Sequence, residues 1–93
     1  MVIELKCYPI LNGIMAWWSS VEDAARYIVT LYINDAPISE KIVERTEKYY
    51  SFTGLAAISL RSPSIYYIKV QAENRNGEII AESDKIKSTV REI

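Results

Sequence analysis

Apolar and polar positions alternate with a period of two along most of the chain, which predicts strands, and helical periodicity is scarce. From Val2 to Tyr8 the pattern puts Ile3, Leu5 and Cys7 on one face and Glu4 and Lys6 on the other. Pro9 is expected to end that strand, because it cannot donate to a ladder. Asn12-Gly13 reads as a turn, and Ile14 to Ser19 as a strand with Ile14, Ala16 and Trp18 inward and Met15 and Trp17 outward. After a polar loop from Ser19 to Ala24, Tyr27 to Ile33 is the strongest strand signal, dense in β-branched and aromatic residues. Its core set is Tyr27, Val29 and Leu31, which leaves Ile28, Thr30 and Tyr32 outside. Asn34 to Pro37 is a turn by composition, and Ile38 to Glu44 is a more polar strand suited to a sheet edge. Tyr49 to Thr53 is a further strand, with Phe52 assigned to the core and Gly54 closing it. Leu55 to Leu60 holds helix formers and predicts a single helical turn ended before Pro63. Ile65 to Glu73 puts Tyr66, Ile68, Val70 and Ala72 inside and Tyr67, Lys69, Gln71 and Glu73 outside. Asn74 to Gly77 is a hairpin turn, and Glu78 to Val90 a last strand, bent near Glu82-Ser83-Asp84.

Seven short strands with turn signals between them predict an all-β, antiparallel sandwich. At 93 residues the chain is one domain, 1–93, with one core, and it shows no internal repeat or linker. Seven Tyr and two Trp against one Phe favour strands that are apolar in body and wet at one end. The formal net charge is −1 with no basic cluster, so the electrostatic footprint of a nucleic-acid binder is missing. No apolar run reaches the ~20 residues of a membrane span, and Met1 to Tyr8 does not read as a signal peptide. With Cys7 alone, no internal disulfide can form, which suits a cytosolic protein or a secreted domain that relies on its core.

Several segments, in order, resemble a fibronectin type III domain. Ile14-Met15-Ala16-Trp17-Trp18 is similar to that family's second strand, and Tyr27-Ile28-Val29-Thr30-Leu31 to its third. Tyr50-Ser51-Phe52-Thr53-Gly54-Leu55 is similar to its Tyr-x-Leu-x-Gly-Leu stretch. Leu60 and Pro63, followed by Tyr66 to Asn74, match its most specific segment. Glu82 to Ile86 resembles the start of its last strand, with Lys85 in the place of a proline. The resemblance spans essentially the whole chain. It implies a seven-stranded immunoglobulin-like Greek key, with Tyr66 as a tyrosine corner whose hydroxyl returns to the backbone upstream. It departs from the family at Ala56 to Leu60, which reads as an insertion, and at Asn74 to Gly77, which lacks Arg-Gly-Asp, so integrin adhesion does not carry over. As function it implies a spacer or protein-interaction module of a larger, bacterial extracellular or cell-surface protein.

Residue chemistry gives enzyme activity almost no support. The chain has no His, the commonest general base at neutral pH. Cys7 lies on an apolar stripe and reads as a core thiol. Ser19-Ser20 and Ser62 to Ser64 have no base beside them, and the three Gly are isolated. Glu22-Asp23 and Glu82 with Asp84 read as solvated carboxylates rather than Ca²⁺ ligands, and no cofactor is expected. The informative residues are the outward aromatics. In the fibronectin layout Tyr32 comes beside Tyr67 on one sheet, forming with Ile28 and Lys69 a candidate protein-interaction face. Trp17 comes within reach of Tyr49 on the other, a candidate sugar-stacking pair that makes a carbohydrate-binding accessory domain the alternative. Expected partners are a protein, neighbouring domains of a longer chain, or a second copy in a weak homo-oligomer.

Overall fold

The computed structural model describes residues 2–55 and 65–89. Eight strands run β1 (Leu5–Ile10), β2 (Gly13–Trp18), β3 (Arg26–Ile33), β4 (Ala36–Glu44), β5 (Tyr49–Thr53), β6 (Tyr66–Glu73), β7 (Ile79–Glu82) and β8 (Ile86–Ser88). One sheet has the order β1-β2-β5, the other β4-β3-β6-β7, with β8 also on β6. All ladders are antiparallel. The strand count exceeds the sequence reading because the last strand is broken in two, both pieces lying along β6. Ser83 sits in the break and is buried. Its amide donates to the Val70 carbonyl at 2.8 Å, and its hydroxyl accepts from the Val70 amide at 2.9 Å. A side-chain oxygen thus stands in for the missing ladder partner.

Local chemistry explains the turns. Pro9 does not end the first strand as expected; it lies within β1 opposite Ile14. β1 is an edge strand, and an edge tolerates a residue without an amide donor. Gly13 follows Asn12, whose φ is 62°, and a Cβ there would lie 2.0 Å from the Phe52 carbonyl oxygen, so only glycine admits the backbone of β5. Asn34 and Asp35, at φ 51° and 69°, form the two-residue loop that joins Ile33 to Ala36 with the twist a hairpin needs. Pro37 falls inside β4 rather than in the turn, beside a register shift that leaves Ile38 bulged and exposed.

The core lies between the sheets and contains Trp18, Tyr27, Val29, Leu31, Phe52, Tyr66, Ile68, Val70 and Ala72, as assigned from sequence, whereas Cys7, read as a core thiol, is only partly buried against it. Trp18 from the smaller sheet meets Tyr27 from the larger, ring centroids 5.5 Å apart. The Tyr27 hydroxyl accepts from the Val21 amide at 2.9 Å, which holds the connection between β2 and β3 down on that contact. The Tyr66 hydroxyl donates to the Leu55 carbonyl at 3.4 Å, eleven residues upstream. Thr30 is on the outer side as assigned but is buried there: its short side chain lies between the longer Glu40 and Lys69, directly opposite on either flank. The insertion read at Ala56 to Leu60, Pro63, and all of the helical turn read over Leu55 to Leu60 except Leu55 itself lie outside the described residues.

Trp18→Ala should destabilise by about 3–5 kcal/mol, whereas Trp17→Ala should cost far less, because only the first empties the core. Urea midpoints of the two variants check this, and equal losses would contradict the register of β2. Tyr66→Phe leaves the Leu55 carbonyl short of a donor and should cost about 1–3 kcal/mol, against a near-silent Tyr67→Phe.

Candidate functional site

The outer face of the larger sheet is built by β3, β4, β6 and β8. Tyr32 and Tyr67 are directly paired, as are Ile28 with Gln71 and Thr30 with Lys69. All four residues of the expected interaction face are therefore on one surface, yet Ile28, Tyr32, Tyr67 and Lys69 are half-buried rather than exposed. The chain covers them itself. Lys85 lies over the Tyr32 ring, 4.2 Å from its centroid, a cation–π contact. Lys87 lies opposite Tyr67, and Ile42 opposite Ile28, which gives the outward isoleucine an apolar neighbour. Lys69 pairs with Glu82 at 3.0 Å, and Gln71 donates to the same carboxylate at 3.3 Å. The hydrogen bonds from Lys69 and Gln71, with the Lys69 charge, hold the Glu82 carboxyl below its usual value.

The smaller sheet presents a barer surface. Trp17 and Tyr49 are cross-strand partners and about half exposed, at 47% and 55%. Lys6, paired with Trp17 on the opposite flank, carries its ammonium 5.7 Å from the Trp17 ring centroid. Tyr8, exposed, lies opposite Met15, which in turn faces Ser51, so the row beside Trp17 is also apolar in body. Lys6 and Tyr8 were not picked out from sequence; the alternation that put Ile3, Leu5 and Cys7 inward already placed them on this side.

Among the described residues, the side between the sheets that is bounded by the edge strands β4 and β5 is open. Two adjoining grooves run along it. One of about 490 Å³ is lined by Ile42, Glu47, Tyr49 and Tyr50, and one of about 330 Å³ by Ile38, Phe52 and Leu55. A third, polar cleft of about 630 Å³ gathers Asp23, Glu44, Arg45, Asn74 and Arg75 at one end of the sandwich, near the Arg26–Glu73 ion pair. Among the described residues no group of three or more His, Cys, Asp or Glu could hold a metal ion, and no helix is long and apolar enough to cross a membrane. Cys7 is partly buried against the core, and desolvation pushes its thiol up to about 12.

No family model and no curated protein matches the chain. Among solved structures, it is similar to pectate lyase PelI from Erwinia chrysanthemi, determined in complex with tetragalacturonic acid. The TM-score is 0.70 at 12% identity, over 95% of this chain and 28% of that one. The likeness is one of fold, and the chain spans little more than a quarter of the pectate lyase's length.

A thiol held at about 12 in the fold ionises far earlier once unfolded, at its ordinary value of 9.0. Its burial therefore contributes stability below that ordinary value, and the contribution is lost as pH rises above it. Iodoacetamide at pH 8 should label Cys7 slowly in the native protein and quickly in urea, whereas equal rates would contradict a desolvated thiol.

Proposed function

We propose that the chain is a non-catalytic fibronectin type III-like module that acts as a spacer or protein-interaction domain within a larger extracellular protein. The observation that carries this reading is the fold likeness that takes in nearly all of this chain and a minor share of a much longer one. A domain of this shape thus occurs as one portion of a bigger protein. Strand order supports the family assignment: with β7 and β8 counted as one strand, the first, second and fifth strands form one sheet and the third, fourth, sixth and seventh the other. The chain then crosses between sheets after β2, β4 and β5, as an immunoglobulin-like Greek key does. The bond from the Tyr66 hydroxyl to the Leu55 carbonyl, eleven residues upstream, supports reading Tyr66 as a tyrosine corner. The chain has no His, the commonest general base at neutral pH, and burial holds its lone thiol protonated. An antibody raised against residues 1–93 should detect a native protein far larger than 10.7 kDa in the medium or on the cell surface. A native intracellular species of that small mass would overturn the proposal.

One surface favours a second reading, a carbohydrate-binding accessory domain. Trp17 and Tyr49 offer adjacent exposed rings, and Lys6 beside them would favour an acidic sugar. Because Trp18 is buried, a sugar-induced change in Trp fluorescence would report on Trp17. Titration with galacturonan oligosaccharides should give a saturable change that Trp17→Ala and Tyr49→Ala abolish. A flat titration across acidic and neutral oligosaccharides would leave the protein-interaction reading alone.

A further inference from the structure

The free edges of the two sheets are not equally guarded. Exposed edge amides and carbonyls invite another strand, and proteins blunt them with charge, proline, bulges or brevity. β4 carries Pro37, the bulge at Ile38, and Glu40, Lys41 and Glu44. β1 carries Lys6 and Pro9, and the stretch before it is tied to the other sheet by the Ile3 amide on the Glu82 carbonyl. β7 and β8 are four and three residues long with a break between them. β5 reads Tyr-Tyr-Ser-Phe-Thr, with no charge, no proline and no register shift. Among the described residues, nothing pairs with its outer edge.

The direction of its backbone follows from one bond. The Trp18 amide donates to the Lys48 carbonyl at 3.0 Å, so Lys48 turns toward β2. Backbone groups alternate along an antiparallel strand, so Tyr50 and Phe52 also turn toward β2, while Tyr49, Ser51 and Thr53 turn away from it. Three successive donor–acceptor residues therefore face outward.

We propose that this edge pairs with the same edge of a second copy of the chain, antiparallel about a twofold axis at Ser51, joining the two smaller sheets into one continuous sheet. The occupant is argued from fit. In that register Ser51 meets Ser51 of the copy and Tyr49 meets Thr53, so all outward-facing residues pair and each pair exchanges both of its hydrogen bonds. Tyr50 falls opposite Phe52 of the copy, an aromatic pair at the closer spacing, and Lys48 opposite Gly54. No like charges meet. At its centre β4 fails the same test: a twofold at Ile42 sets Glu40 against Glu44, one at Lys41 sets Lys41 against itself, and one at Glu40 sets Glu40 against itself, while one at Ser39 runs into the bulge at Ile38. The contact is small, so the dimer is weak and its formation depends on concentration. This goes beyond the module reading and holds whether or not the chain belongs to a longer protein.

Sedimentation equilibrium of the whole chain, carried to about 1 mM, tests it. The wild type should show a reversible monomer–dimer equilibrium. The Ser51 side chain lies on the outer face, so Ser51→Lys and Ser51→Glu should remain folded by circular dichroism and sediment as monomers, each placing like charges across the twofold. An equimolar mixture of the two should recover a dimer, because opposite charges then meet. Ile42→Lys on β4 should leave association unchanged. A wild type that stays monomeric at the highest concentration overturns the proposal. So does a mixture that fails to reassociate, or an Ile42→Lys that dissociates the dimer while Ser51→Lys does not.

Discussion

Trp18 from the three-stranded sheet meets Tyr27 from the five-stranded sheet with 5.5 Å between ring centroids, and much of the fold is arranged around that contact. Tyr27 supplies its ring to the interior and its hydroxyl to the Val21 amide, so one residue packs the core and anchors the first crossover between sheets. Below it, Val29, Leu31, Ile68 and Val70 continue the layer, all nearly inaccessible to water. The contact has a cost: among the described residues the Trp18 indole nitrogen, buried, finds no acceptor. An unmet donor of this kind costs about 1–3 kcal/mol, less than the loss from emptying so large a core position.

Two sheets held through their inner faces leave a problem at their margins, and the chain treats the two sides differently. On one side the Ile3 amide bonds the Glu82 carbonyl and a short bridge joins Val2 to Glu82, so the stretch before β1 ties the smaller sheet to the end of β7. On the other, among the described residues, β4 and β5 stand apart with grooves of mixed polarity between them. The candidate surfaces follow from this asymmetry. The outer face of the larger sheet is screened by its own Lys69, Glu82 and Lys85, whereas on the smaller sheet Trp17 and Tyr49 are about half exposed and, among the described residues, nothing pairs with the outer edge of β5.

Alternation was enough to read the core, because a strand with one wet face fixes its register by which residues it must hide. Trp18 inward and Trp17 outward, and the whole in–out sequence from Tyr66 to Glu73, needed nothing beyond the period of two. The departures at Pro9 and Thr30 share one cause, which is that they depend on neighbours distant in sequence. Pro9 can lie inside a strand because that strand is at an edge, and Thr30 is buried because Glu40 and Lys69 flank it. The cover over Tyr32 comes from Lys85, more than fifty residues away, and no local pattern announces it. The pairing of Trp17 with Tyr49 could be anticipated from the resemblance to a known layout. No local pattern marks the β5 edge as unguarded, because its exposure is set by the strand order and by the charge, proline, bulge and brevity that protect the other edges.

Native-state hydrogen exchange in low denaturant tests most directly whether the Trp18–Tyr27 contact couples the sheets into one cooperative unit. The slowest amides of β2, in the smaller sheet, should converge on the same opening free energy as the slowest amides of β3 and β6 in the larger one. If the β2 amides instead open at a distinctly lower free energy while β3 and β6 stay closed, the sheets unfold separately. The contact between them would then not be what holds the fold together.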